Sequence, residues 1–409
     1  MYLTHIALTN FRNFSRLDLE VPKGTLLLVG HNAQGKTSLL EALYFLSTAT
    51  SFQSGSDRQL INFLAAKDPL AVGRIVADFI RGGQKHNLEF RIIQERNEFN
   101  GSSRVRKEVL LDGGKQKLNQ VVGYFNTVLF LPQMLQIVEG SPSERRRYLD
   151  LTLSQVVPDY VAHLSAYNKA ISQRNALLKQ LNERGGDQGQ LIYWEKQIAT
   201  DGAYLINARI QAIKELEDIA VMIHMELTRG GERLRLIYEP AYEPLSQTPE
   251  QLEMNFDITL DRRGLSLEAI RDGFIEALIQ NRPDEILRGQ TTIGPHRDEM
   301  RFLANGIDLG VFGSRGQIRT AMLSLKISEI NWMKKRTGHW PVLLLDEVLA
   351  ELDPQRRVDL LTKLSKSEQA LLTTTDLDLF TPEFVQDAQI WHVEEGNVSG
   401  NKKIDTEKQ

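Results

Sequence analysis

Gly30-His31-Asn32-Ala33-Gln34-Gly35-Lys36-Thr37 is the stretch that decides the fold class. Glycines bound the turn, and a lysine and a hydroxyl follow the second glycine at the spacing of a phosphate-binding loop. Upstream, Thr25-Leu26-Leu27-Leu28-Val29 is a short apolar run that reads as a buried strand. Downstream, Leu39, Leu40, Leu43 and Leu46 recur at helical spacing. Strand, turn and helix N-terminus together suit a triphosphate, because backbone N–H groups and the positive end of the helix dipole face the anion. Residues Gly30 to Ser38 are therefore the expected ATP cradle. Lys36 is expected to reach the β- and γ-phosphates and Thr37 to ligate Mg²⁺. The expected cofactors are ATP and Mg²⁺.

Bulk properties narrow the class. A chain of 409 residues predicts two or three domains. With 41% hydrophobic and 25% charged residues the composition is that of a soluble globular protein, expected in the cytoplasm. A net charge of −4 means that nucleic-acid binding would need local basic patches rather than global attraction. There is no cysteine, which excludes disulfides and thiolate metal sites. The start, Met1-Tyr2-Leu3-Thr4-His5-Ile6, alternates like a strand and lacks the layout of a signal peptide.

Along the chain, residues 1–140 read mainly as β around one strong helix, with strands expected near 2–9, 16–21, 73–80, 87–94, 109–112 and 127–130. Ser141-Pro142-Ser143-Glu144 reads as a helix start with a capping box. Amphipathic stretches over 158–182 and 190–227 predict an antiparallel helical hairpin, the core of an arm domain spanning 141–290. A strand over 233–238 and a helix over 266–280 follow. Residues 291–399 read as α/β again, and 400–409 as a disordered tail.

The second half of an ATPase site is expected near the C-terminus. Pro341-Val342-Leu343-Leu344-Leu345-Asp346-Glu347 is an apolar strand ending in two carboxylates. Asp346 suits the Mg²⁺ shell, and Glu347 suits polarisation of the attacking water. Leu352 and Asp353 follow directly, and Ser314, Gly316 and Gln317 open a helical stretch upstream. Lys36 and Asp346 lie about 310 residues apart, much farther than in small P-loop kinases.

That order of motifs resembles an ABC-type ATPase head, and the split resembles its SMC-like branch. Longer strings are similar to the RecF family of bacterial recombination mediators: Leu8-Thr9-Asn10-Phe11-Arg12-Asn13, Gly140 to Asp150, Ile293-Gly294-Pro295-His296-Arg297-Asp298, and Ser314 to Thr320. The resemblance covers nearly the whole chain. It implies an ABC-type head split into two lobes with an inserted helical arm. It also implies that Ser314, Gly316 and Gln317 meet the γ-phosphate held by a second copy, so that ATP drives homodimerisation, and that Leu352 and Asp353 form the D-loop. Hydrolysis would be slow, because the strand Leu371-Leu372-Thr373-Thr374-Thr375-Asp376 has no histidine and a threonine such as Thr375 takes its place. Binding of gapped or junction DNA is implied, together with RecR, RecO and RecA loading in repair and replication restart. Gln133 stands where a metal- or water-binding glutamine is expected. Ala33 and Ser38 stand where the family usually shows Gly and Asn, and Ile318 where it usually shows Gln. A nucleotide-gated scaffold with incidental hydrolysis is the rival reading.

Several charged residues admit two readings. Arg12 either stacks on adenine or touches phosphate, or is a hairpin surface arginine. Arg145, Arg146 and Arg147 form ion pairs with Glu144 and Asp150 or contact phosphate. Arg104, Arg106, Lys107, Lys115 and Lys117, expected around turns, and Lys334-Lys335-Arg336 are DNA-backbone contacts or plain surface. His296 is expected in a turn rather than in a metal cluster. No aromatic-rich basic stripe appears, so stacking on single strands is not expected as the main mode.

Overall fold

A computed structural model describes residues 1–96, 103–245 and 261–400. In chain order the strands are β1 (Tyr2–Phe11), β2 (Phe14–Glu20), β3 (Gly24–Val29), β4 (Leu70–Arg81), β5 (Gln84–Arg96), β6 (Ser103–Leu111), β7 (Gly114–Gln116), β8 (Thr127–Phe130), β9 (Leu234–Glu239), β10 (Glu299–Ala304), β11 (Ile307–Asp308), β12 (Val342–Asp346), β13 (Gln369–Thr374), β14 (Gln389–Glu394) and β15 (Asn397–Gly400). The principal helices are α1 (Lys36–Thr48), α2 (Pro142–Ser154), α3 (Tyr160–Arg184), α4 (Leu191–Leu227), α5 (Leu267–Gln280), α6 (Arg315–Thr337) and α7 (Pro354–Leu364). The chain forms two compact units, Met1–Met134 with Glu329–Gln409, and Leu135–Ser328.

The first unit holds two sheets. One is antiparallel, in the order β2-β1-β4-β5-β6-β7; the other runs β15-β14-β3-β13-β12-β8. In the second sheet β14, β3, β13, β12 and β8 are mutually parallel, and only β15 is antiparallel. Central parallel strands are covered on both faces, so they need continuous apolar runs rather than alternation. Leu26, Leu27 and Leu28 of β3 and Val342 to Leu345 of β12 are accordingly all buried. Helix α1 is buried on every side from Leu39 to Thr48, as a helix in the middle of a core must be. Phe45 meets Phe90 of β5 edge-on at 5.4 Å, and Ser47 hydrogen-bonds Thr127 of β8 at 2.6 Å. One apolar cluster joins side chains of both sheets through this helix. Each large side chain buried there contributes about 1.5–3 kcal/mol.

The second unit contains the helical hairpin α3–α4, helices α2 and α5, and the antiparallel sheet β11-β10-β9. It departs from the sequence reading in two ways. The expected boundary at 290 is displaced, because residues 291–328 belong to this unit. Register pairing of β10 with β9 (Glu299 with Glu239, Ala304 with Leu234) ties them there. So do the hydrogen bonds from Arg174 to Thr291 (2.8 Å) and from Arg209 to Asp298 (2.9 Å). Such long-range polar contacts have no periodic signature in sequence. The capping box at Ser141 is also absent: Ser141 bonds to Ser143 at 2.6 Å instead, although Pro142 does open the helix. At the other end, Gly400 closes β15 rather than starting a tail, and 401–409 lie outside the described residues.

Candidate functional site

Parallel strands deliver their carboxyl ends to one edge of the sheet, and crevices beyond those ends are where α/β folds bind ligands. Four expected elements meet at this edge. The phosphate loop leaves β3, Asp346 ends β12, Thr373 and Thr374 end β13, and Gln133 follows β8 by three residues, exposed in a short 3₁₀ turn. Registry places Thr373 directly beside both Leu28 of β3 and Asp346 of β12.

Two glycines make the loop. A Cβ on Gly30 would lie 2.3 Å from the Val393 carbonyl oxygen, so no other residue fits against β14. Gly35 has a φ of +116°, and a Cβ there would lie 2.5 Å from the Asn13 amide. Between them Gln34 is clamped from both sides. Its carbonyl accepts from Asn13 Nδ2 and from the Gly396 N–H, each at 3.1 Å, and its side-chain oxygen accepts from the Glu395 N–H at 2.6 Å. Asn13 stands in a family-like string, but its contact with the loop was not expected, nor was that of the Glu395–Gly396 turn, because both reach the loop only through the fold. Ala33 sits at φ +65°, a left-handed conformation that costs a residue with a Cβ about 1–2 kcal/mol. His31, Asn32 and Ala33 are exposed, and Gln34 and Ser38 are half-buried.

Lys36 opens α1 and is 3% exposed. Its Nζ donates to the carbonyls of Gly30 (2.6 Å) and His31 (3.0 Å) and lies 3.2 Å from Glu347 Oε1. The lysine is therefore folded over the loop at the place a phosphate chain would lie. Next to it, Thr37 Oγ1 donates to Asp346 Oδ1 at 2.9 Å, and Thr373 Oγ1 donates to the same oxygen at 2.7 Å. Burial pushes the Asp346 carboxyl above its ordinary value, and the two hydroxyls oppose that shift. Thr373 also accepts from the Glu347 N–H at 3.0 Å. One hydroxyl thus fixes the carboxylate of Asp346 and the backbone of Glu347, which has a φ of +51°. The threonine that touches the acidic pair is Thr373; Thr375 lies exposed just beyond the strand.

A hydroxyl and a carboxylate held 2.9 Å apart beside a phosphate cradle form the hard-oxygen donor set that Mg²⁺ takes with nucleotide oxygens. The residues present thus fit both parts of a Mg·nucleotide. Asp353 caps α7 by accepting from the Arg356 N–H at 3.1 Å, and Leu352 before it is buried. The guanidinium of Arg12 is bidentate on the fully buried Glu41 of α1, at 2.6 Å for both bonds, and donates to the Gln59 carbonyl at 3.0 Å.

In the second unit, Ser314 and Gln317 cap the start of α6 reciprocally. The Ser314 N–H donates to Gln317 Oε1 (2.9 Å), and the Gln317 N–H donates to Ser314 Oγ (3.2 Å). Gln317 Nε2 donates to Glu232 Oε1 at 2.8 Å, and the other Glu232 oxygen lies 3.3 Å from His224 of α4. Ser314 and Arg315 are exposed, and Gly316 is half-buried.

Known proteins resemble this chain over nearly its whole length. The chain matches the RecF/RecN/SMC N-terminal domain over residues 2–396. It is 39% identical to the DNA replication and repair protein RecF of Roseiflexus castenholzii and 40% identical to that of Chloroflexus aurantiacus, in each case over 97% of this chain and 99% of the relative. The chain belongs to the RecF family. Two solved RecF structures, the recombination mediator protein of the RecFOR pathway with ATPrS and with ATP, superpose with TM-scores of 0.81 and 0.80 at 30% and 31% identity; each match covers 98% of both chains. An Smc head bound to the C-winged helix domain of ScpA shares the fold alone, with a TM-score of 0.51 at 14% identity. The fold is thus the ABC-type ATPase head with an inserted helical arm.

The remaining charged candidates of the RecF-family chain are mostly engaged. Arg145 is bidentate on Glu299 (2.5 and 2.8 Å) and Arg146 donates to the Asp298 carbonyl (2.8 Å), so their partners are not Glu144 and Asp150. Arg104, Arg106 and Lys107 lie within β6 rather than around turns. Arg106 pairs with Glu95 and Glu108, Lys115 with Glu108, and Lys107 with Asp57. Lys334 lies 3.8 Å over the Trp340 ring. His296 lies half-buried in a turn, as expected, bonded to Tyr167 OH (2.6 Å) and the Thr291 carbonyl (3.2 Å). No cluster of three or more metal-ligating side chains occurs among the described residues.

Proposed function

We propose that the chain is an ATP-driven switch of DNA repair and replication restart. The observation that carries this reading is the union of Thr37 with Asp346, and of Lys36 with Glu347, across about 310 residues of sequence. Lys36 binds the terminal phosphates, and Thr37 with Asp346 holds Mg²⁺. Mg²⁺, when bound there, would supply charge neutralisation to the phosphates. Glu347 orients and deprotonates the attacking water, with Thr373 fixing its backbone. Ser314, Gly316 and the N-terminus of α6 form a second anion site, which meets the γ-phosphate held by another copy; ATP then closes a homodimer and hydrolysis opens it. DNA with a gap or a single/double-strand junction is the substrate of closure; RecO and RecR are the partners, in keeping with the RecFOR pathway of the solved relatives, and RecA is the protein whose loading they serve.

Light scattering with and without ATP, followed by binding to gapped and blunt duplex, tests the proposal. ATP should double the mass, and Lys36→Ala should abolish both nucleotide binding and the doubling. A chain that stays monomeric with saturating ATP removes the switch. Dimerisation and DNA binding at full strength in a variant unable to hydrolyse, with no release defect, would favour a nucleotide-gated scaffold instead.

A further inference from the structure

Between α1 and β4 the chain makes a compact excursion whose residues the nucleotide site does not use. It is held rigidly. The Asn62 N–H donates to the Asn10 carbonyl and the Arg12 N–H to the Leu60 carbonyl, each at 2.8 Å, and Gln94 Nε2 donates to the Ala66 carbonyl at 3.1 Å. Against β5 this segment encloses a pocket of about 500 Å³, lined among others by Arg58, Gln59, Phe63, Lys67 and Arg96. That volume is in the range of sites for small organic ligands.

The lining has an unusual composition for a surface pocket. Phe63 is 76% exposed, although hydration of an aromatic ring is unfavourable. Lys67 Nζ stands 4.8 Å over the ring, and Arg58 and Arg96 add two more cations. The carboxylates next in sequence to Arg58 and Arg96 among the described residues are engaged elsewhere: Asp57 pairs with Lys107 at 3.0 Å and Glu95 with Arg106 at 3.3 Å. Three cations and an exposed aromatic ring lining one pocket match a ligand with a flat π-face and a neighbouring phosphodiester, since base stacking on aromatic side chains and spaced cations are how single strands are held. An apolar protein segment would leave the three cations without counter-charge.

We propose that this pocket binds an unpaired nucleotide of single-stranded DNA, with a base on Phe63 and flanking phosphates on Arg58, Lys67 and Arg96. The inference rests on the DNA-binding reading above and locates part of it. The pocket is also connected to the phosphate loop. Arg12 grips the Gln59 carbonyl with one nitrogen and Glu41 of α1 with two others. A strand seated at Phe63 therefore presses on a segment bonded to the helix that starts at Lys36. Sequence reading missed the pocket because Arg58, Phe63 and Lys67 are separated from Arg96 by a strand and a hairpin, so no basic-aromatic stripe exists along the chain.

The test uses the full chain with ATP and a gapped duplex carrying 2-aminopurine in its single-stranded part. Wild type should bind and quench the probe. Phe63→Ala should remove the quench and weaken binding about tenfold, Phe63→Tyr should restore both, and Arg58→Glu with Arg96→Glu should weaken binding and flatten its salt dependence. Binding of a fluorescent ATP analogue should stay unchanged in all variants. Wild-type binding with undiminished binding and quench in Phe63→Ala and undiminished binding in the Arg58→Glu, Arg96→Glu double variant overturns this site alone. Failure of wild type to bind gapped DNA overturns the site together with the repair reading. Free dAMP that competes as well as the strand, nucleotide for nucleotide, would make a mononucleotide the occupant and also overturn the proposal.

Discussion

Two clusters of buried charge, one in each unit, are built to opposite ends. At the nucleotide edge Lys36 is 3% exposed but Glu347 beside it is 39% exposed, and their contact is a single one at 3.2 Å. In the arm-containing unit Arg209 lies among Asp298 (2.9 Å), Asp150 (2.8 Å) and the Pro295 carbonyl (2.5 Å), and both Arg209 and Asp298 are 2% exposed. Asp298 accepts further bonds from Tyr238 OH and the Ala241 N–H. The second cluster is closed, with its charges answered by fixed partners. The first keeps a carboxylate toward solvent and a lysine resting on carbonyl oxygens, partners that a phosphate outcompetes. Buried charge that is fully paired specifies structure, whereas buried charge with an open side specifies a ligand.

Substitutions in each cluster should therefore move different observables. Glu347→Gln should lower the ATP hydrolysis rate by about 10²–10⁴-fold while leaving nucleotide affinity and melting temperature nearly unchanged; normal turnover in this variant would remove Glu347 as the base. Arg209→Ala should instead destabilise the chain by about 3–5 kcal/mol, because it strands two carboxylates. Denaturant unfolding reads this directly, and a loss below 1 kcal/mol would show the closed cluster to be dispensable.

A pH titration sharpens the same contrast. Burial lowers His296 from its ordinary 6.5 to about 4, so as pH falls the unfolded chain takes up this proton before the folded one does. The contribution of neutral His296 is complete above pH 6.5 and is lost progressively toward pH 4, by about 3 kcal/mol at 1.36 kcal/mol per unit. The loss should vanish in His296→Gln, and a pH-independent difference between the two proteins would contradict the burial. The smallest effect is expected at the open cluster's own loop. Ala33→Gly should relieve the positive φ and stabilise the folded protein by about 1 kcal/mol, and should lower affinity for ATP if the strain is released on binding; calorimetry reads both.

How much of this was legible in sequence depended on the range of the interaction. The strands β3, β8 and β12 and the helices α1, α4 and α5 appeared with nearly correct bounds, because buried parallel strands and amphipathic helices carry their period in consecutive residues. The antiparallel strands β4 and β5 extend beyond their apolar centres to Arg81 and Arg96, since ladder pairing with a neighbour holds polar ends that no periodicity marks. The unit boundary moved for the same reason: Arg174, Arg209 and the β9–β10 register are contacts between residues dozens of positions apart.

By itself the sequence determined the phosphate-loop turn, the acidic pair at the end of β12 and the helix start at Ser314, because each is a local arrangement of backbone and side chains. Tertiary structure decided which residues join them. Thr373 became the hydroxyl between Asp346 and Glu347 through strand registry. Asn13 and Glu395 became the clamps on Gln34, Arg12 was committed to Glu41, and Phe63 with Arg96 became one pocket. Those choices depend on which strands lie side by side, and sheet order is set by the burial of the whole core rather than by any segment of it.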